Sequence, residues 1–318
     1  MPLSPSSACT TALARTLTLL ACCLSGPAMA ATLQVGAGMA YKLPSAAAAA
    51  AHDGDHIKIA AGSYADCAVW KADNLTIEGA GPHATVISGR PCQGKALFIA
   101  QGRNITVRDL ALTGARVADS NGAGIRTEGG DLTVEHVRFA DDQDGILSGT
   151  LFGVKIIVRD SDFIADGTCE GSGGCAHGIY AGHIALLRVE HSRFLRTRAG
   201  HDIKSRALRT EVIGCDLEDG ADGTSSFAVD VPNGGAVVLR DNHIEKGPRS
   251  ENHMAAVMVG EEGVTQPTPL IVVEHTAFRV DGGYESYLLD NRTTTAAVLT
   301  GNTLQGNART LLGPGRVK

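Results

Sequence analysis

The sequence predicts an all-β protein wound as a parallel β-helix of about nine coils, and three observations carry that prediction. First, one pattern returns along the chain: apolar, any residue, apolar, any residue, then a turn residue. It reads Asn104-Ile105-Thr106-Val107-Arg108-Asp109, Asp131-Leu132-Thr133-Val134-Glu135-His136 and Lys155-Ile156-Ile157-Val158-Arg159-Asp160, with further copies centred on Ile77, Val189, Val212, Leu239, Val273 and Leu299. Alternation of period two marks a strand with one buried face. Second, the copies are 23 to 34 residues apart. No helical stretch of about 10–15 residues lies between them, so these are not βαβ units but a repeat of strands and turns. Third, a second apolar column follows after a short loop, at Ile125, Ile146, Ile179, Ile203, Val229, Val257 and Leu288, with glycine before several members. Glycine there permits a tight bend. A two-layer sandwich is the main alternative, but it needs no such period.

The elements follow in chain order. Residues 1–30 read as a secretion leader: Arg15, an apolar run from Thr16 to Leu24, then Ala28-Met29-Ala30 as the cleavage site. The run is too short to span a bilayer. Leu19-Leu20-Ala21-Cys22 also resembles a lipoprotein box, which leaves lipid anchoring at Cys22 as the alternative to a secreted or periplasmic protein. Residues 31–318 then form one domain. Pro44, Ser45 and the alanine run to Ala51 predict a short helix over 43–53 that closes the N-terminal end of the coil stack. The coils occupy 55–312.

Composition sets the limits on function. Hydrophobic residues make up 43% of the 318, charged residues 19% and aromatics 4%, so the chain folds on aliphatic layers. The formal net charge of −6 becomes −7 once Arg15 leaves with the leader, which opposes nucleic acid as a partner. No other segment suits a membrane span, and a monomer is expected. Five cysteines remain in an exported chain. Cys67 and Cys92 are one repeat apart, which puts them within bridging distance on adjacent coils. Cys169 and Cys175 close a glycine-rich loop. Cys215 falls in a turn column with Ser161, Ser192 and Asn242, and is expected to be free. These cysteines offer too few ligands for zinc, and no cofactor is expected beyond a possible calcium.

The run "AAHDGDHIKIAAGSY" followed by "NLTIEGAG" resembles the opening of right-handed β-helix proteins of the pectate-lyase-like superfamily. The resemblance spans residues 34–312 and implies a single-stranded right-handed parallel β-helix. Members include pectate and alginate lyases, C5-epimerases, polygalacturonase-type hydrolases and proteins without known catalysis, so it does not choose among activities.

Candidate chemistry comes from what projects out of the second column. One residue past each inward position lie Arg126, Leu147, Tyr180, Lys204, Asp230 and Met258. Two residues before lie Ala123, Asp144, His177, His201, Phe227 and Ala255, at a bend that breaks the strict alternation. The motifs "HGIY" (His177–Tyr180) and "GHDIKSR" (Gly200–Arg206) supply both rows. Residues 188–209 carry a local excess of arginine and lysine, which suits an anionic sugar polymer. The candidate reaction is β-elimination or C5-epimerisation of a uronate-containing polysaccharide. Arg206 would offset the uronate carboxylate, His201 or Lys204 would act as base, and Tyr180 would protonate the leaving oxygen, with His177 beside them. Asp144, Asp230, Arg198 and Asn233 are candidate substrate-binding residues. "HGIY" is similar to turns of alginate-modifying enzymes, although an epimerase-type Asp-Pro-His is missing. "GHDIKSR" is similar to pieces of polygalacturonases but departs from them, and hydrolysis needs a carboxylate pair that only Asp144, Asp202 and Asp230 could furnish. Asp141, Asp142 and Asp144 are the one carboxylate cluster suited to calcium. A non-catalytic binding or envelope scaffold would want stacking aromatics, and Trp70 and Tyr64 do not fall near the basic motifs. Asn233, Asn252 and Glu261 mark the reserve location for a site.

Overall fold

The computed structural model describes residues 1–2, 30–171 and 174–318. The leader, with Arg15, most of the cleavage site and Cys22, lies outside the described residues apart from Met1, Pro2 and Ala30. Three parallel sheets run the length of the molecule, and each coil contributes one strand to each sheet. Among the described residues the third sheet holds ten strands, and the coil of residues 56–70 that opens it begins where the sequence places the first coil.

The strand pattern aligns in register from coil to coil. Ile77, Val107, Val134, Val158, Val189, Val212, Leu239, Val273 and Leu299 pair in sequence down the first sheet. All are buried. From the Val107 copy onward the turn residue that ends the copy bends the chain into the second sheet through a left-handed conformation, with φ of 56° at Asp109, 52° at His136, 47° at His191 and 49° at His275. Gly214 and Gly301 occupy the same turn at φ of 63°, and a Cβ there would meet the rings of His191 and His275 at 2.7 and 2.6 Å. On the second sheet Phe139, Phe163 and Phe194 stack at centroid distances of 4.7 and 4.5 Å. Such pairs add roughly 0.5–1.5 kcal/mol each beyond their burial.

The helix spans Pro44–Ala50, shorter than expected, with Leu43 rather than Ser45 at its cap position. It packs against Ala68–Trp70 of the third sheet and Thr32–Val35 of the first. Trp70 and Tyr64 are buried in the core. The disulfides Cys67–Cys92 and Cys169–Cys175 form, with Cα separations of 5.5 and 4.1 Å. They suit an oxidising compartment. Cys215 is free and buried, and burial pushes its thiol up to about 12. Among the described residues no helix is long and apolar enough to cross a membrane.

Candidate functional site

The third sheet departs from strict alternation in the same way on every coil. Two consecutive residues face the interior: Gly124-Ile125, Gly145-Ile146, Gly178-Ile179, Asp202-Ile203, Ala228-Val229, Ala256-Val257 and Leu288-Leu289. This is a bulge repeated up the stack. None of the three glycines has a positive φ. What they lack is space: a Cβ on Gly178 would lie 2.5 Å from the carbonyl oxygen of Asp202. The second column continues through Leu289, which pairs with Val257, and not through Leu288.

The bulge turns both predicted rows outward. In one row His177 stacks on His201 at 4.8 Å, and His201 on Phe227 at 5.3 Å. In the other, Tyr180, Lys204 and Asp230 pair in register. The ring of Tyr180 meets that of His177 edge-on at 5.5 Å. On the earlier coils the same two rows hold Ala96, Ala123, Ile99 and Leu147, an apolar cluster packed with Cys92. Beside His201 and Phe227 a cleft of about 490 Å³ opens, lined also by Cys175, Asn252, His253 and Glu261. The aromatic residues near the basic motifs are therefore Tyr180 and Phe227, with Tyr284 stacked on His253 at the cleft wall. Sequence spacing missed this grouping because the residues come from four separate coils.

Hydrogen bonds fix how each group presents itself. His177 Nδ1 accepts the backbone N–H of His201 at 3.0 Å, and His201 Nδ1 accepts that of Phe227 at 3.2 Å. A neutral imidazole that accepts at Nδ1 carries its proton on Nε2. Burial, then the nearby lysine charges, pushes His201 down to about 3, and burial with His201 beside it holds His177 well below its ordinary value. The 3.5 Å approach of His201 Nε2 to Asp230 Oδ2 is thus a contact of a neutral ring, not an ion pair. Lys204 Nζ lies 3.1 Å from Asp230 Oδ2 and 2.9 Å from Glu262 Oε1. Burial alone would lower the Lys204 amine, but the two carboxylates outweigh it and hold the amine above its ordinary range. Burial raises Asp230 to about 6 against the pull of Lys204. Arg206 donates from Nε to Tyr180 Oη at 3.0 Å and from Nη1 to Asn233 Oδ1, and Nη2 lies 2.7 Å from Glu262 Oε2.

Other predicted residues sit elsewhere or act differently. Asp144 is in the outward row but is 1% exposed. It accepts the N–H of His177 at 2.8 Å, and burial raises it to about 8. Asn233 accepts from Arg206 and donates to Gly263, which makes it a positioning residue. Arg198 lies at the corner between the second and third sheets, paired with Asp141 and away from Lys204. The excess of cations in residues 188–209 does not survive folding as a strip. Arg188 and Arg209 pair with Glu211 on the first sheet, and Arg193 pairs with Asp162 on the second. Asp202 faces the interior, where burial and Asp219 raise it to about 8. Asp141 is exposed while Asp142 is buried, so the calcium trio does not converge, and among the described residues no three or more His, Cys, Asp or Glu side chains are grouped to hold a metal. Glu262 is the member of this cluster that sequence reasoning missed. Its only signal is the Gly260-Glu261-Glu262-Gly263 turn one residue beyond the reserve position at Glu261.

No known protein family matches the chain, and no curated protein sequence does. Solved structures do. An alginate lyase from Paenibacillus sp. str. FPU-7 is 16% identical over 90% of this chain and 99% of its own, with a TM-score of 0.57. A protein of Geobacillus virus E2, ORF18, is 14% identical over 83% of this chain and 52% of its own, at 0.51. The A-module of an Azotobacter vinelandii mannuronan C-5 epimerase is 17% identical over 86% of this chain and 94% of its own, at 0.45. At these identities the likeness establishes architecture alone, and that architecture is the parallel β-helix.

Proposed function

We propose that the chain is an exported polysaccharide-active enzyme that removes the C5 proton of a uronate residue, as a lyase or a C5-epimerase. The observation that carries this reading is the side-by-side placement of Lys204 and Arg206 between Tyr180 and His201, on the open part of the third sheet. Two fixed cations there suit a sugar carboxylate, whose neutralisation acidifies the C5–H bond. The hydrogen bonds favour a different division of labour from the sequence expectation. Lys204 stays charged between two carboxylates, and His201 presents an N–H, so neither is arranged as a base. Tyr180, whose oxygen accepts from Arg206, is the better base in its phenolate form, and His201 Nε2–H is available to hydrogen-bond O4. In elimination the C5–H bond breaks toward the Tyr180 phenolate, its electron pair forms C4=C5, and the C4–O4 bond breaks as the Tyr180 hydroxyl so formed gives its proton to O4. In epimerisation the proton returns to the opposite face of C5 and no chain bond breaks.

Hydrolysis finds less support, since Asp144, Asp202 and Asp230 are each at most 3% exposed and none opens onto the cleft as one of a pair. A binding-only role is favoured by one observation, the His201–Phe227 ladder that continues the cleft. One protein of this fold is an alginate lyase by name, which puts alginate first on a panel with polygalacturonate, glucuronans and acidic exopolysaccharides. Absorbance of an unsaturated uronate is the outcome expected of a lyase, and altered stereochemistry without cleavage that of an epimerase. Reducing ends without absorbance would overturn the reading in favour of hydrolysis, and binding without turnover would reduce it to recognition.

A further inference from the structure

Lys204 and Arg206 already hold a carboxylate. Glu262 Oε1 lies 2.9 Å from Lys204 Nζ, and Glu262 Oε2 lies 2.7 Å from Arg206 Nη2, one oxygen to each cation. We propose that Glu262 is a built-in occupant of a carboxylate receptor, displaced by the uronate carboxylate when substrate binds, and that this exchange selects acidic over neutral sugars. The inference rests on the uronate reading above.

Three features make Glu262 the member that leaves. Its side chain is 43% exposed, against 13% for Lys204 and 17% for Arg206. The cations are held from behind: Lys204 by Asp230, Arg206 by Tyr180 and Asn233. The backbone of the 260–266 turn is pinned, with Gly260 N–H on Val231 O, Glu262 N–H on Pro232 O, and Thr265 and Gln266 N–H both on Asn233 O. Asn233 Nδ2 and Gln266 Nε2 donate to Gly263 O and Arg206 O. The gate is therefore a side-chain rotation and not a loop opening.

The exchange accounts for selectivity without a clash. A uronate replaces one carboxylate by another, so both cations stay paired. A neutral sugar that displaced Glu262 would leave Arg206 without a carboxylate and Lys204 with Asp230 alone, a penalty that acts as discrimination. The tethered carboxylate also competes with the free one, so it weakens apparent uronate affinity.

Glu262→Gln tests this. Calorimetric titration uses hexamers of mannuronate and galacturonate with a neutral glucose hexamer as control. The variant should bind the preferred uronate hexamer about tenfold more tightly, a gain of ~1.4 kcal/mol, with little change for the neutral hexamer. Equal or weaker uronate binding overturns the proposal. A second measurement is independent of any sugar. With Arg206 left without a carboxylate and Lys204 held by Asp230 alone, the variant should show a Tm rise in sulfate over chloride at matched ionic strength that the native protein lacks. That rise without uronate binding to either protein keeps the receptor and removes the uronate reading. Absence of the rise, with no uronate gain, removes the receptor. Should Glu262→Gln not fold, Glu262→Asp, too short to span both cations, should show the same gain in weaker form, and failure to do so counts against the proposal.

Discussion

The first and third sheets both carry stacked charges, and they handle them in opposite ways. On the outer face of the first sheet one register row reads Lys58, Glu78, Arg108, Glu135, Arg159, Glu190. The signs alternate coil by coil, and neighbours pair, Arg159 with both Glu135 at 3.0 Å and Glu190 at 2.9 Å. After an interruption at Ile213 the row resumes with Arg240 and Glu274, 3.0 Å apart. These side chains are half exposed. On the third sheet the row reads Leu147, Tyr180, Lys204, Asp230, Met258. Its charges are more deeply buried, and on the same face Asp230 Oδ1 and, in the neighbouring row, Asp144 Oδ2 are buried without a partner, where the ladder leaves only Arg108 Nε so among its described side chains. A ladder that neutralises itself has no affinity left for a ligand. A cluster that keeps unpaired groups at the cost of their desolvation is the kind of arrangement found where chemistry is done.

The contrast is broken most directly by mutation of each row in the activity assay. Tyr180→Phe and Arg206→Ala should each lower turnover by roughly 10²–10⁴, the size of a lost acid, base or fixed counter-charge. Arg159→Gln on the ladder should leave it unchanged. A ladder variant as damaging as Tyr180→Phe would move the site off the third sheet. The turn residue His136, bonded to Asp109 and 58% exposed, is a second control.

The next effect is one of sign. An unfolded aspartate ionises near pH 3.9, whereas burial raises Asp144 to about 8. A raised acid favours the folded state most below its unfolded pKa, and that advantage is lost as pH rises through the folded value. Asp144→Asn keeps an acceptor for the His177 N–H and removes the loss. Its Tm relative to the native protein should climb between pH 5 and 9, by about 5 °C or more in total. Glu78 on the ladder is the mirror case. The hydrogen bond from Arg108 lowers it most, burial opposes, and His56 assists. Its contribution is present above the unfolded pKa near 4.3 and fades as pH falls, so the deficit of Glu78→Gln should shrink toward acid. Equal pH slopes for the two variants would mean that the two faces share one electrostatic environment.

What could be read beforehand divides along the same line. Period-two strands and the turn column at Asp109, His136, Asp160 and His191 are local properties, fixed by a few consecutive residues, and both were legible. So were the disulfides, Cys67–Cys92 because one repeat of separation is one coil of height and Cys169–Cys175 because it closes a short loop. Outward placement of His177 and His201 was guessable only as a broken alternation. The doubled inward position that causes it was not, since Gly178 and Asp202 have nothing in common as residue types. The same doubling puts Leu289, not Leu288, in the second column. The cationic run at 188–209 misled because neighbours in sequence travel around three faces. Glu262 was invisible because it meets Lys204 and Arg206 from two coils further on, through a turn whose length sets the reach.

The smallest expected effect sharpens the comparison best, because it concerns a charge paired with its ladder neighbours on both sides. Arg159 bridges two glutamates, yet its side chain is 37% exposed. Exposed ion pairs are worth about 0.2–1 kcal/mol each and are screened by salt. Removing Arg159 also leaves Glu135 and Glu190 on either side of a neutral residue, and their mutual repulsion is screened in the same way. Arg159→Gln should therefore cost about 1 kcal/mol or less at low salt, and the cost should shrink in ~1 M salt. Denaturant titration at two salt concentrations measures both values. A larger, salt-insensitive loss would show that the ladder is as dehydrated as the third sheet. The difference between the two faces would then lie in which groups they carry and not in how much water they keep.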